Sequence, residues 1–135
     1  MNFANWNIRG LNKKYKQEEI RSLIHQHRLS LIGINETRVS IEKSRQIGQT
    51  LLRGWHCVTN YDHHLNGRIW VLWDPNVLNI QLLLSTSQVV HMEVEVIQKQ
   101  IRFHASFLYG LNTSGERRAL WESISQISSL TDGSP

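Results

Sequence analysis

The stretch Leu29 to Arg38, LSLIGINETR, places a carboxylate at the point where a predicted buried strand ends. Its apolar run, Leu31–Ile34, is of strand length and typical of a strand covered on both faces in an α/β sheet. Ligand sites of open α/β sheets lie beyond the carboxyl ends of their strands. Glu36 is therefore the first candidate for a functional group, and the alternative is a solvated glutamate that pairs with Arg38.

The composition is that of one globular domain, or part of one. The chain has 135 residues, of which 40% are apolar and 19% charged, and its formal net charge of +4 weakly favours polyanionic partners. The single cysteine, Cys57, excludes an internal disulfide and is predicted to be a small buried side chain. No window approaches the ~18 apolar residues of a membrane span. We expect an intracellular protein with no membrane partner.

The sequence before Gly54 predicts alternating strands and helices. Residues 3–8 form a short strand that ends at Arg9-Gly10, and residues 18–28 form a helix whose first turn is acidic and whose last turn is basic. After the strand of the opening stretch, Ser40 is a plausible cap for a second helix that runs to about residue 53. This order implies a parallel crossover between the first two strands.

After Gly54 the periodicity changes to that of strands. Five segments fit, namely 55–61, 68–73, 77–84, 89–97 and 101–109. In the fourth, Val90 to Val96 alternates apolar side chains with His91, Glu93 and Glu95, which predicts one packed face and one solvent-facing face. Turns are expected at Asn66-Gly67 and at Asp74-Pro75-Asn76, and a capping box at residues 113–116 predicts a last helix. The whole is a mixed sheet with helices on one side.

Polar side chains fall at the ends of three of these strands. They are Asn7, Glu36 and Tyr109, and Asn112 follows shortly after. If the ends converge, the carboxylate could hold Mg²⁺, which prefers oxygen ligands, while the amides and the phenol contact a phosphate. Arg117 and Arg118 could add cationic contacts, although two arginines on a helix are also typical of a solvated face.

Several segments together resemble one family. They are WNIRGL at 6–11, INETR at 34–38, NGRIWVLWDP at 66–75, YGLN at 109–112 and RRALW at 117–121. In this order and spacing they resemble the endonuclease/exonuclease/phosphatase superfamily, specifically the apurinic-like endonuclease domain of plant LINE-type (non-LTR) retrotransposons. The resemblance covers nearly the whole chain.

The resemblance implies a DNase I-like fold, a two-sheet α/β sandwich with a mixed sheet and flanking helices. It implies a phosphodiesterase that depends on Mg²⁺, with Mn²⁺ as a substitute, and nicks DNA to prime reverse transcription. RNA is the alternative substrate, and the nucleus one destination. By motif match, Glu36 is the metal-binding glutamate and Asn7 orders the site. Tyr109 and Asn112 are phosphate-side ligands, and Arg9, Arg117 and Arg118 are nucleic-acid contacts.

Two departures from the family pattern qualify this implication. Arg9 stands where the DNA-repair members carry a metal-associated aspartate. The family's second half, with a Gly-Asp-Phe-Asn motif and a Ser-Asp-His motif, would begin just after Pro135. Residues 1–135 are therefore expected to be an N-terminal half-domain whose sheet has an open inner face, covered by the missing half or by self-association.

Loss of those motifs bears on activity. They hold the family's water-orienting aspartate and phosphate-binding histidine, and acid-base assistance is worth roughly 10²–10⁴-fold, so the isolated chain is expected to be nearly inert. The alternatives are a non-catalytic nucleic-acid-binding remnant and a degenerate retroelement fragment that does not fold stably alone.

Overall fold

The computed structural model describes residues 2–61 and 69–108. The elements in chain order are β1 (Asn2–Asn7), α1 (Lys14–His27), β2 (Leu29–Asn35), α2 (Ile41–Leu51), β3 (His56–Thr59), β4 (Ile69–Trp73), β5 (Leu78–Ser85), β6 (Val89–Val96) and β7 (Ile101–Leu108). None of the helices in these ranges is both long and apolar enough to cross a membrane. The Asn66-Gly67 turn and the helix expected after residue 113 lie outside the described residues.

The first sheet is mixed, as the sequence predicts. Its strand order is β1-β2-β4-β3, in which β1 and β2 are parallel and the other neighbours are antiparallel. β2 is central, and residues 31–34 are buried on both of its faces. The parallel crossover through α1 and the doubly covered strand are therefore confirmed.

Helices cover one face of this sheet and a second sheet covers the other. Ile20 of α1 and Ile47 and Leu51 of α2 pack in one cluster with Ile32 and Trp70. The second sheet, in the order β5-β6-β7, is antiparallel. Its inner side chains pack in a second cluster against those of the first sheet, and the cluster comprises Leu31, Ile69, Val71, Trp73, Leu78, Val90, Met92, Val94, Val96 and Phe107. The result is a two-sheet α/β sandwich with flanking helices.

The expected open inner face is wrong, because the chain itself supplies the second sheet. The Asp74-Pro75-Asn76 turn is confirmed: the N–H groups of Val77 and Leu78 donate to the Asp74 carbonyl at 3.1 and 3.0 Å. The turn sends the chain from β4 in one sheet to β5 in the other. Gly33 completes the fit, since a Cβ there would fall on the Phe107 ring of β7.

Three local predictions are also wrong. α1 begins at Lys14, so its first turn holds no acidic residue, because lysine and glutamine favour helix and extend it one turn towards the N-terminus. His91 is 2% exposed, because His104 and Ser106 of β7 contact its ring. The Cys57 residue is exposed on the edge strand β3 rather than buried, although partial cover of its thiol raises the pKa of Cys57.

Candidate functional site

The strands β1 and β2 end side by side, and their ends are joined by backbone hydrogen bonds. The parallel register pairs Asn7 with Asn35. The Ile8 N–H donates to the Asn35 carbonyl at 3.1 Å, and the Gly10 N–H donates to the Glu36 carbonyl at 2.8 Å. The loop that carries Glu36 therefore lies against the turn that follows β1.

The loop after β2 is held at every residue. The carbonyl groups of residues 36 to 39 each accept a hydrogen bond. The donors, in order, are the backbone N–H of Gly10 at 2.8 Å, the backbone N–H of Leu11 at 2.8 Å, the side-chain amide of Asn12 at 3.0 Å and the hydroxyl of Tyr61 at 2.8 Å. Such complete pairing leaves this loop little conformational freedom.

The Tyr61 hydroxyl is itself fixed within the core. It accepts a hydrogen bond from the Trp70 indole N–H at 3.3 Å while it donates to the Val39 carbonyl. Burial raises the pKa of Tyr61, so the hydroxyl remains a neutral donor. The loop is thus anchored to β4 as well as to the turn after β1.

The backbone of this region is strained. Arg9, Glu36 and Arg38 have φ angles of 52°, 55° and 54°, and they are three of the five non-glycine residues with positive φ in the described ranges. Each such residue costs of order 1–3 kcal/mol and persists only where its surroundings fix it. The four carbonyl hydrogen bonds of the loop supply that fixation. Strain of this kind is concentrated at functional sites, which makes the loop a candidate on geometric grounds.

The Glu36 carboxylate is largely covered and lies beside one arginine. Its side chain is 24% exposed, and the Arg38 Nη2 atom lies 3.9 Å from Oε2, while the Arg38 side chain is 67% exposed. An ion pair this long and this exposed is worth at most about 1 kcal/mol. The alternative noted from sequence, a pair with Arg38, is therefore present but weak.

Strand β7 reaches the same edge, where it contacts Asn35, a residue that the sequence did not identify as a candidate for the site. The Asn35 side-chain N–H donates to the Leu108 carbonyl at 3.2 Å. The Oδ1 atom of Asn35 is buried and accepts no hydrogen bond from the described residues. Its position as the last residue of β2, directly before Glu36, was the available signal.

Three of the seven residues predicted for the site lie in the described ranges. Asn7 is exposed at the end of β1, and Arg9 is exposed in the turn that follows. The structure thus brings Asn7, Arg9 and Glu36 to one edge of the sandwich. The other four predicted residues lie outside the described residues, namely Tyr109, Asn112, Arg117 and Arg118.

The donor set at this edge is a carboxylate with amide oxygens. Within residues 2–61 and 69–108, no group of three or more His, Cys, Asp or Glu side chains could hold a metal ion. A transition-metal cage is therefore not formed by these residues. Mg²⁺ is commonly bound through one or two carboxylates with several retained waters, so the Glu36 carboxylate at this edge fits such an ion.

No protein-family model matches the sequence, and no curated protein matches it. Solved structures match the fold. The catalytic domain of human Nocturnin with bound sulfate is 15% identical with a TM-score of 0.66, and the match covers 95% of this chain and 57% of that one. The endonuclease domain of TRAS1, a telomere-specific non-LTR retrotransposon, is 13% identical with a TM-score of 0.67, over 96% of this chain and 52% of that one.

A third structure agrees with these two. The endonuclease/exonuclease/phosphatase from Bacteroides vulgatus is 12% identical with a TM-score of 0.66, over 96% of this chain and 60% of that one. The chain therefore spans between about half and three-fifths of the length of these structures. Identities this low bear on the fold alone. This chain has the α/β, two-sheet, DNase I-like fold of endonuclease/exonuclease/phosphatase proteins.

Proposed function

We propose that the edge formed by the ends of β1, β2 and β7 is part of a metal-dependent phosphodiesterase site that nicks DNA. The observation that carries this proposal is the placement of Glu36 on a strained loop whose four carbonyls are all hydrogen-bonded. Preorganisation of this kind lets a carboxylate bind a cation without reorganising.

Each residue at the edge has a role in this proposal. Glu36 would hold Mg²⁺ or Mn²⁺, which when bound acts as a Lewis acid on the phosphoryl oxygen and stabilises the departing oxyanion. The Asn7 side-chain N–H would donate to a phosphate oxygen, and the Asn35 Oδ1 atom would accept a hydrogen bond from a water molecule. The exposed Arg9 guanidinium would contact a backbone phosphate of the nucleic acid.

The finer assignments rest on the sequence resemblance. We infer a retrotransposon-type endonuclease whose nick primes reverse transcription, and the likeness to the TRAS1 endonuclease domain supports this inference. Tyr109 and Asn112 would bind on the phosphate side, and Arg117 and Arg118 would contact DNA. A plant LINE origin and the role of residues 1–135 as an N-terminal half are part of the same proposal.

Metal binding by Glu36 is tested with the full chain and Mn²⁺ as the probe. We expect binding of one Mn²⁺, followed by water-proton relaxation, to be lost in Glu36→Gln. Glu18→Gln is the matched control, because Glu18 is an exposed glutamate in the middle of α1. Equal Mn²⁺ binding by the Glu36→Gln variant and the parent chain would contradict the assignment of Glu36.

Cleavage is tested by nicking of supercoiled plasmid with Mg²⁺ and with EDTA. Nicking that needs Mg²⁺ and falls at least about a hundredfold in Glu36→Gln would support a working phosphodiesterase site. Equal nicking by the Glu36→Gln variant would identify a contaminant.

A second candidate is non-catalytic nucleic-acid binding. The net charge of +4 and the exposed Arg9 and Arg38 favour it. It predicts DNA binding that weakens steeply with salt and no Mg²⁺-dependent nicking. A chain without stable structure, the third alternative, predicts a non-cooperative melt instead.

A further inference from the structure

The first turn of α1 carries an aromatic ring that lies in solvent between two lysines. Tyr15 is 58% exposed, the highest value among the large apolar and aromatic side chains of residues 2–61 and 69–108. The Nζ atoms of Lys13 and Lys16 lie 5.9 and 5.8 Å from the ring centroid. Both distances are close to the outer limit of about 6 Å for a cation–π contact, so the ammonium groups are free to leave the ring. A single exposed tyrosine is common on protein surfaces, and its surroundings decide whether it binds a partner.

The lysines around this ring have no acidic partner. Within residues 2–61 and 69–108, no Asp or Glu side chain forms an ion pair with Lys13, Lys14 or Lys16. The macrodipole makes the first turn of a helix positive, so lysines there lower the stability of the helix. α1 has no acidic residue in its first turn to offset them. The stability of α1 therefore does not explain these lysines, and their charge is available to an anionic partner.

Positive charge is concentrated in the part of the chain that carries this turn. Residues 2–61 contain ten Lys and Arg against four Glu, whereas residues 69–108 contain two Lys and Arg against three Asp and Glu. No acidic residue precedes Glu18. A concentration of like charges attracts a partner of the opposite charge to that side of the molecule. A polyanion is therefore drawn to β1, α1 and α2 rather than to the second sheet.

The first turn of α1 is fixed to the loop that carries Glu36. The Asn12 side-chain amide, directly before Lys13 in the sequence, donates to the Arg38 carbonyl at 3.0 Å. The Gln17 side-chain amide, directly after Lys16, donates to the Leu11 carbonyl at 3.0 Å. The ring and its lysines are thus held beside the strand ends, so one bound polyanion can contact both regions.

We propose that Tyr15 and its flanking lysines bind an unpaired segment of nucleic acid. A base stacks on the Tyr15 ring, and the neighbouring phosphates contact Lys13 and Lys16. Aromatic rings stack on any base, and lysines attract phosphate oxygens. A base inside a duplex has neighbours on both faces, so an unpaired base is needed to cover the ring. This inference shares its nucleic-acid ligand with the proposed function, but it requires neither a metal nor cleavage.

Binding of labelled DNA by the full chain, measured by fluorescence anisotropy in EDTA, tests the proposal. Tyr15→Ala should weaken binding of an oligothymidine of about 12 nucleotides by roughly 5- to 150-fold, because one stacked base is lost. Its binding of a blunt duplex should change by less than about twofold. Tyr15→Phe keeps the ring and should bind the oligothymidine as the parent chain does. Equal oligothymidine binding by Tyr15→Ala and the parent chain, or none by the parent chain, would overturn the proposal.

The salt dependence of binding tests the lysines. Lys13→Gln and Lys16→Gln should each reduce the slope of log Kd against log salt concentration by about 0.7, since each removes one phosphate contact. Lys99→Gln is the matched control, because it removes the same charge from the exposed turn between β6 and β7. It should leave the slope unchanged. An equal reduction in Lys99→Gln would assign the binding to the overall charge of the chain and overturn the proposed site.

Two further measurements separate this site from an acidic-protein surface and from the proposed catalytic role. Polyglutamate carries negative charge but no bases, so its binding should not depend on the ring. A loss of polyglutamate binding in Tyr15→Ala equal to the loss of oligothymidine binding would overturn base stacking. Glu36→Gln should bind the oligothymidine in EDTA as the parent chain does. Failure of Glu36-dependent nicking would therefore leave the Tyr15 result standing, and the reverse also holds.

Discussion

Two polar clusters lie at different places in this sandwich, and they are built in opposite ways. At the ends of β1 and β2, the backbone is strained and the carbonyls of residues 36 to 39 all accept hydrogen bonds, while Asn7 and Arg9 are exposed to solvent. On the outer face of β6 and β7, the strands are regular and the side chains bind one another. Polar groups that satisfy each other stabilise a fold, whereas groups held by the backbone and directed outward are available to a ligand.

The outer-face cluster is a continuous chain of contacts. His91 Nδ1 lies 2.6 Å from the Ser106 hydroxyl, and His91 Nε2 lies 3.2 Å from His104 Nδ1. His104 Nε2 then lies 3.9 Å from a Glu93 oxygen. If Ser106 donates to His91 and His91 donates to His104, both ring nitrogens of His91 have a suitable partner, and His104 lies at ion-pair distance from Glu93. Beyond Glu93, Arg102 binds Glu95 at 3.1 Å.

The largest effect on stability is expected from Gly33→Ala, which would disturb the packing of β7 against β2 and so the strand-end cluster that β7 contacts. A Cβ at Gly33 would meet the ring of Phe107, which is 7% exposed and confined between the sheets. We expect a loss of about 1–3 kcal/mol in the free energy of unfolding, measured by urea denaturation. The shift of β7 should also weaken the hydrogen bond from Asn35 to Leu108.

Gly48→Ala is the matched control for that change. Gly48 lies inside α2, and a Cβ there would meet nothing within 4 Å. Alanine favours helix, so this variant should gain about 0.5–1 kcal/mol. A loss in Gly48→Ala comparable to that in Gly33→Ala would show that the Phe107 contact is not the cause.

A smaller effect, dependent on pH, is expected from the outer-face cluster. Burial, and then the nearby His104, lowers the pKa of His91 below its usual value of 6.5. The folded state then binds fewer protons than the unfolded state at mildly acidic pH. The contribution of neutral His91 to the stability of the folded state is complete above about pH 6.5, the ordinary histidine value. This contribution is lost as pH falls towards the lowered pKa that His91 has in the folded state.

Urea denaturation between pH 7 and pH 5 measures this dependence. His91→Gln should flatten the decline in the free energy of unfolding. His25→Gln, at an exposed position of α1, should leave the decline unchanged. Ser106, His104 and Glu93 face His91 or its partner and remain in both variants. An equal slope in the parent chain and in His91→Gln would assign the acid sensitivity to other groups.

The contrast between the clusters also shows which features of the fold can be predicted from the sequence and which cannot. Hydrophobic periodicity and turn residues located every strand of the described ranges, because burial and backbone chemistry are local in sequence. The covering of the inner face by the second sheet depends on contacts such as that between Gly33 and Phe107, which are 74 residues apart. Periodicity alone cannot supply such a pairing.

The strand-end cluster and the outer-face cluster also differ in how much of each the sequence predicts. Asn7 and Glu36 could be identified because each ends a predicted strand. The burial of His91 could not, because alternation along β6 indicates only which face a side chain occupies and not what covers that face. Asn35 was missed since its role depends on the carbonyl of Leu108, which the sequence does not connect to it.

The smallest effect on the free energy of unfolding is expected from Arg38→Gln. This variant tests whether hydrogen bonds to the backbone, rather than the ion pair, hold the strand-end loop. The Arg38 side chain is 67% exposed and 3.9 Å from Glu36, so its removal should cost less than about 0.5 kcal/mol. Asn12→Ala removes instead the amide that donates to the Arg38 carbonyl at 3.0 Å, and should cost about 1 kcal/mol. Urea denaturation at low and at high salt separates the two. If Arg38→Gln costs more than Asn12→Ala and the difference disappears at high salt, the ion pair rather than the backbone holds Glu36 in place, because only a charge interaction is screened by salt.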